Sequence, residues 1–390
     1  TLISMGSLAY IYQWQGQLKD AEILKKKTLK LRKKVLGEYH SDTLISMGNL
    51  ANTYRHQGQL EKAEALGKKT LELQKKVLGE HHPDTLASMS NLAHTYRHQG
   101  KLDKAKVQAK ETLKLHKEVL GEQHPNTLTS MSNLVSIYYE QKQLEKAEML
   151  AKKTLKLHKE VFGEYHPHIL TSMSNLASIY YEQKQLKKAE ILGKKTLKLC
   201  KDVLGEHHPD TLTSMGNLAN TYQQQGQLED AKILHKETLE LYKEVLGEHH
   251  PHTLISMGSL AYIYQQQGQL EDAEILEKKT LRLQKEVLGE CHPDTLISMS
   301  NLANTYCYQE QSNKAEALGK KTLKLYKEVL GEHHPDTLTS MSSLANIYYH
   351  QGKLNKAKAQ AKKTLKLRTQ VFGKYHPHTL TSITILASIY

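Results

Sequence analysis

The ten residues VLGEHHPDTL stand at 77–86, 203–212 and 329–338, with starts 126 residues apart. Near-copies lie between them: VLGEQHPNTL at 119–128, VFGEYHPHIL at 161–170 and VLGEHHPHTL at 245–254. Thr1, Thr43, Thr85, Thr127, Thr211, Thr253, Thr295, Thr337 and Thr379 set a period of 42 residues, interrupted only by Ile169. A sequence repeated in this way builds no single large core. Each copy must bury its apolar face against the next copy. The 390 residues divide into nine units, 1–42, 43–84, 85–126, 127–168, 169–210, 211–252, 253–294, 295–336 and 337–378, and the opening of a tenth, 379–390. They are expected to form one solenoid, 1–390, without internal domain boundaries.

Spacing within a unit is helical. Leu2, Met5, Leu8, Ala9 and Tyr12 form one apolar stripe, Gly16 and its equivalents break the helix, and Ala21, Leu24, Thr28, Leu31 and Val35 form a second stripe. Gly37 is placed as the permissive residue just past the end of the second helix, where φ > 0 is expected. All eight prolines, Pro83 to Pro377, fall four residues after such a glycine, at the first position of the next helix, where the missing N–H costs nothing. The repeated decapeptide therefore reads as a joint between helices, and the chain as an all-α, right-handed superhelical array of antiparallel helix pairs.

These residues resemble a known family. The tetratricopeptide signature W-x2-L-G-x2-Y…A-x3-F…P is met by Met5-x2-Leu8-Ala9-x2-Tyr12…Ala21, with proline where the unit closes. The 42-residue form, with LG-x-x-HP-x-T and NLA-x-x-Y, is similar to the repeats of kinesin light chains. It departs from the pattern where Lys142, Lys184 and Glu310 replace a turn glycine, and where Lys25, Gly67, Ala109, His235 or Glu277 stands in place of an aromatic. There is no heptad segment of the kind that joins kinesin light chains to a motor chain.

Composition narrows the function. No apolar run approaches the ~20 residues of a membrane helix, so no membrane role is expected. Three cysteines, Cys200, Cys291 and Cys307, at unrelated repeat positions argue against a disulfide framework and for a reducing, cytoplasmic setting. The formal charge of +13 favours acidic partners. No GxGxxG, P-loop, HExxH or nucleophile elbow is present. No enzymatic activity and no cofactor are expected. The His-rich joints (His81 and His82, His207 and His208, His249 and His250, His333 and His334) lack a constant set of companions, since Tyr39, Gln123, Tyr165 and Cys291 replace the first His, so they are read as polar turns and no metal is expected. A lysine ladder on the second helices (Lys26, Lys30 and Lys33 and their repeats) is bordered by Glu72, Glu160, Glu240 and Glu328, with no aromatics interleaved, which makes nucleic acid a weak candidate.

The first helices carry the stronger candidate. Opposite their apolar stripe, position 7 of the unit is Asn49, Asn91, Asn133, Asn175, Asn217 and Asn301. A column of amides can hydrogen-bond an extended peptide backbone without reading its side chains, or it can bond the neighbouring helix. The resemblance implies the former, since kinesin light chains hold cargo peptides with asparagines of an NNLA segment. Positions 10, 13 and 14 differ most between units: Arg55 and His56, Arg97 and His98, Tyr139 and Glu140, Tyr181 and Glu182. Arg55 and Arg97 would favour an acidic segment. The expected function is a scaffold that holds an extended, acidic peptide of a partner protein on this face. The alternatives are a structural spacer and, because Thr1 and Tyr390 both fall inside a first helix, a piece of a longer array that self-associates through uncapped ends.

Overall fold

The computed structural model describes residues 2–14 and 17–390; Thr1 and Gly16 lie outside the described residues. Among the described residues, nineteen helices follow one another. The first helices of the pairs are α1 Leu2–Trp14, α3 Ser41–His56, α5 Pro83–His98, α7 Pro125–Glu140, α9 Pro167–Glu182, α11 Pro209–Gln224, α13 Pro251–Gln266, α15 Pro293–Tyr308, α17 Pro335–His350 and α19 Pro377–Ile389. The second helices are α2 Leu18–Leu36, α4 Leu60–Leu78, α6 Leu102–Leu120, α8 Leu144–Phe162, α10 Leu186–Leu204, α12 Leu228–Leu246, α14 Leu270–Val287, α16 Ser312–Leu330 and α18 Leu354–Phe372. The chain forms two compact bodies, Thr1–Leu199 and Cys200–Tyr390. In each, a first helix packs on its own second helix, which packs in turn on the next first helix, as α3 on α4 and α4 on α5.

The core is the stripe that the spacing predicts. Leu44, Met47, Leu50, Ala51 and Tyr54 are buried on α3, and Ala63, Thr70 and Leu71 on α4. Beneath α3, α7 and α9 a serine makes a polar contact with the preceding second helix: Arg32 donates to Ser46 at 2.8 Å, and His116 and His158 sit 2.7 Å from Ser130 and Ser172, whereas the equivalent Ser256 on α13 is buried without a partner. One predicted core position differs. Val35 is 67% exposed and Val77 43%. The second helix has 19 residues against 16 in the first, so its last turn overhangs its partner.

Every constant residue of the joint makes a specific contact. Gly79 has φ 92° and ψ 164°. The positive φ is the one expected of the glycine after the helix, and with this ψ it falls in a region that essentially only glycine occupies. Its N–H closes the last helical turn on the Lys75 carbonyl at 3.2 Å, and its own carbonyl accepts the Thr85 hydroxyl at 2.8 Å. The same threonine latch recurs from Thr43–Gly37 to Thr379–Gly373; Ile169 cannot make it. The histidine before the proline is an N-cap. His82 is extended (φ −70°, ψ 139°), and its Nδ1 accepts the Asp84 N–H at 3.2 Å. All nine joints have this cap, from His40 to His376. Sequence alone reads these residues as turn polarity and misses that the ring substitutes for the usual Ser or Asp at an N-cap.

Backbone geometry predicts two stability changes of opposite sign. Gly205 has φ +88°, so Gly205→Val should destabilise by about 1–3 kcal/mol. Glu310 holds φ 60° without a glycine, so Glu310→Gly should stabilise by about 1 kcal/mol. Urea denaturation of both variants checks the pair.

Burial also predicts a pH dependence. It pushes the His94, His158 and His235 imidazoles down from 6.5 to about 4, assisted at His94 by Arg97, Arg55 and His98 and at His158 by His168 and His166. A histidine that is harder to protonate in the folded chain contributes stability that is complete above the unfolded value and is lost progressively as pH falls towards the folded one. The buried Glu277 carboxyl, pushed up to about 7, acts in the opposite sense, losing stability as pH rises. Thermal melts should therefore fall between pH 6.5 and about 4. His235→Ala should flatten that slope, because alanine fills the same position at Ala109 and Ala151.

Candidate functional site

The predicted face is set by the first helices, whose apolar stripe is committed to the core. Asn49, Asn91 and Asn217 are exposed there, and Asn133, Asn175 and Asn301 are half-buried. Asn49, Asn91, Asn133 and Asn175 recur on α3, α5, α7 and α9 of one body; Asn217 and Asn301 lie on α11 and α15 of the other. Their backbones serve the helices: Asn49, Asn91 and Asn217 carbonyls accept from Thr53, Thr95 and Thr221. Among the described residues, no hydrogen bond uses any of these six side-chain amides.

Position 13 of one unit reaches position 14 of the next, a register that inspection of single units does not reveal. Arg55 Nη1 is 3.2 Å from His98 Nε2, Arg97 Nε is 3.2 Å from Glu140, and Gln223 donates to Gln266 at 2.9 Å. Tyr139, half-buried, is pushed up to about 12 by burial and by its hydrogen bond to Glu182. Tyr181 is half-buried beside the same carboxylate, and burial raises it too. Much of the variation read as recognition is thus matched between neighbouring helices. Arg97 in particular already holds one carboxylate, whereas Arg55 holds none.

In the body Cys200–Tyr390 the same face opens into a hollow of about 350 Å³ across α11, α13 and α15. Its walls include Ile255, Gly258, Ser259, Tyr262, Ile297 and Asn301, which are positions 3, 6, 7 and 10 of their units. Ile255 and Ile297 are half exposed, at 50% and 49%. Small residues at Gly258 and Ser259 leave the space, and the amides of Asn220 and Gln223 border it.

The other candidate surfaces are internally occupied. Glu290 takes Lys285 at 2.9 Å and Lys321 at 2.7 Å, and these lysines hold its carboxyl at about 2. Glu38, Glu122 and Glu332 are clamped in the same way. Lys26, Lys68, Lys152 and Lys278 lie 5.7–5.8 Å above Tyr54, Tyr96, Tyr180 and Tyr306 while pairing with Glu22, Glu64, Glu148 and Glu274. The lysine ladder is largely a network of pairs. At the joints, His208 Nδ1 is committed to its cap at 3.1 Å, and among the described residues no three His, Cys, Asp or Glu side chains converge as metal ligands. Among them, too, no helix is long and apolar enough to cross a membrane.

Buried ionisable groups at position 25 escaped the sequence reading. Lys25 is buried, donating to Gln13, to Thr53 at 2.8 Å and to the Asn49 carbonyl at 3.4 Å, and burial lowers it to about 8. His235 and Glu277 occupy the equivalent slots, each with one atom that has no hydrogen-bond partner. The departure from an aromatic at this position was visible in the sequence, but its burial was not.

Paired helices at a fixed repeat, with one face given to the core and the opposite face left open, define a helical-repeat array. The chain belongs to the tetratricopeptide repeat family, whose family model matches residues 1–76, 47–118, 93–160, 127–202, 169–244, 210–286, 254–328 and 294–370. No curated protein matches the sequence. Among solved structures it is similar to RapI in its apo form (16% identity, TM-score 0.66, 95% of this chain and 98% of that one) and to the apo quorum sensor NprR from B. thuringiensis (16%, 0.63, 93% and 97%). Kinesin light chain-type TPR-like repeats from Podosopora anserina, nearly identical to one another, share 28% identity over 53% of this chain and 98% of theirs, with a TM-score of 0.47.

Proposed function

We propose that this chain is a non-enzymatic, kinesin light chain-like protein-interaction scaffold that holds an extended peptide segment of a partner along its first helices. The observation that carries the reading is the asparagine column, six amides at one repeat position with no hydrogen bond among the described residues. An exposed amide offers two donors and one acceptor to a strand-like backbone. Amides repeated helix by helix can grip that backbone at intervals, independent of side-chain identity. The hollow over Gly258 and Ser259 adds room for an apolar side chain. Preference for acid belongs to the body Thr1–Leu199, where Arg55 and Arg97 lie beside Asn91 and Asn133; the hollow in Cys200–Tyr390 has Asp294 on its wall and no basic group. Tyr139 and Tyr181 would flank the same path. A cytoplasmic, reducing setting fits three free thiols.

The test is a calorimetric titration with a panel of extended peptides. Asn91→Ala combined with Asn133→Ala should weaken every ligand alike, by about 0.5–1.5 kcal/mol per lost hydrogen bond. Because neither amide is bonded in the folded chain, thermal stability should change by less than about 0.5 kcal/mol. Loss of stability with affinity intact would show that the column holds the helices and not a ligand.

A further inference from the structure

The strongest unassigned chemistry lies at the α3–α5–α7 end of the body Thr1–Leu199. Arg55 is half-buried, and among the described residues its guanidinium meets no carboxylate. Nη2 donates to Asn52 Oδ1 at 2.5 Å and lies 3.3 Å from His56 Nε2, Nη1 lies 3.2 Å from His98 Nε2, and Nε is buried with no partner at all. Two of its three neighbours are imidazoles, which are weak acceptors beside a cation and become donors when protonated. Arg97, on the next first helix, is close enough to act on Arg55, and its own partner is Glu140. The charged and titratable groups facing this point are Lys25 from α2, Arg55 and His56 from α3, His94, Arg97 and His98 from α5, and Glu140 from α7. Three cations face one carboxylate, which leaves an excess of two positive charges.

Resting on the peptide-scaffold reading, we propose that Arg55, Arg97, His94 and His98 form a subsite for a phosphorylated side chain of the bound peptide. A carboxylate satisfies one guanidinium fork and carries one charge; a phosphate monoester presents three acceptor oxygens and close to two charges. That matches the local excess and the separate donors on α3 and α5, including the orphaned Arg55 Nε. The three imidazoles are held neutral by burial and by these same arginines. A dianion seated among them reverses the sign of the field they feel, so binding draws in protons and tightens as pH falls.

Sulfate keeps its double charge across this pH range and tests the subsite without a peptide. Titrated into the full chain, it should bind saturably, more tightly at about pH 6 than at about pH 7.5, and should raise the NMR titration midpoints of His94 and His98. Acetate should do neither. A short Gly–Ser peptide with one phosphoserine should bind about tenfold more tightly than its glutamate counterpart. Arg55→Gln should remove that advantage, and circular dichroism confirms that the variant is folded; Arg97→Gln provides the second variant. Equal affinity for phosphoserine and glutamate, no effect of sulfate on the histidines, or tighter binding of a short single-stranded oligonucleotide than of the phosphopeptide would each overturn the proposal. Failure of the Asn91 and Asn133 substitutions to affect peptides, with sulfate still bound, would overturn the backbone grip and leave the anion subsite standing.

Discussion

At every joint but that of Ile169, a hydroxyl on the third residue of the first helix closes on the carbonyl that ends the helix before it, and the geometry of the repeat turns on that contact. Thr85 can reach Gly79 only because the glycine adopts a backbone conformation closed to other residues, and only if the next helix starts where His82 caps it and Pro83 opens it. The turn is therefore determined by four residue types acting together. Once its angle is fixed, the leucine after the threonine, Leu86, drops into a fully buried site, and the apolar stripe of the helix follows it. The recurrence of glycine, histidine, proline and threonine at fixed spacing along the sequence is the signature of one mechanical part.

The same part organises the charges. At Glu38, Glu122, Glu290 and Glu332 the carboxylate after the glycine stands where the lysine near the end of its own helix and a lysine of the next second helix converge, as Lys285 and Lys321 do on Glu290. Exposed pairs of this kind contribute little individually, but they use up the cations that would otherwise make the second helices a polyanion-binding surface. Positive charge without a matching carboxylate survives at Arg55, on the opposite face. Net charge alone was a poor guide to where an acidic ligand would be met; the pairing of each lysine was the better one.

Periodicity revealed nearly all of the architecture, because the spacing of Leu44, Met47, Leu50 and Tyr54 and the position of each proline are local facts that packing then obeys. It misplaced Val35, since a helical wheel does not show that one helix outruns its partner. It missed the histidine caps, whose side-chain chemistry is unusual for that role, and the Arg32–Ser46 type of bond, which joins residues of different units. The asparagine column was legible as a face but not as free amides: whether an amide is already bonded is a three-dimensional fact. The ladder from Arg55 to His98 and from Arg97 to Glu140 was hidden for a related reason, since its partners lie in successive copies and differ from copy to copy.

The buried variability at position 25 bears on how a chain of near-copies finds its own order. Units this similar could dock on the wrong neighbour with little loss of apolar contact. The interfaces, however, are not interchangeable. Lys25 is matched by Thr53, and Glu277 hydrogen-bonds Thr305. At Gly319, by contrast, an added Cβ would approach the Ile347 side chain at 3.1 Å, so a larger residue there requires the isoleucine to shift. A second helix bearing Lys25 and placed against an isoleucine would bury an ammonium without its hydroxyl partner, at a cost of several kcal/mol. These residues act as addresses, spending some stability at correct junctions to make incorrect ones worse. In a repeat array, the order of the units is information that the repeated residues cannot hold, and here the exceptions to the repeat hold it.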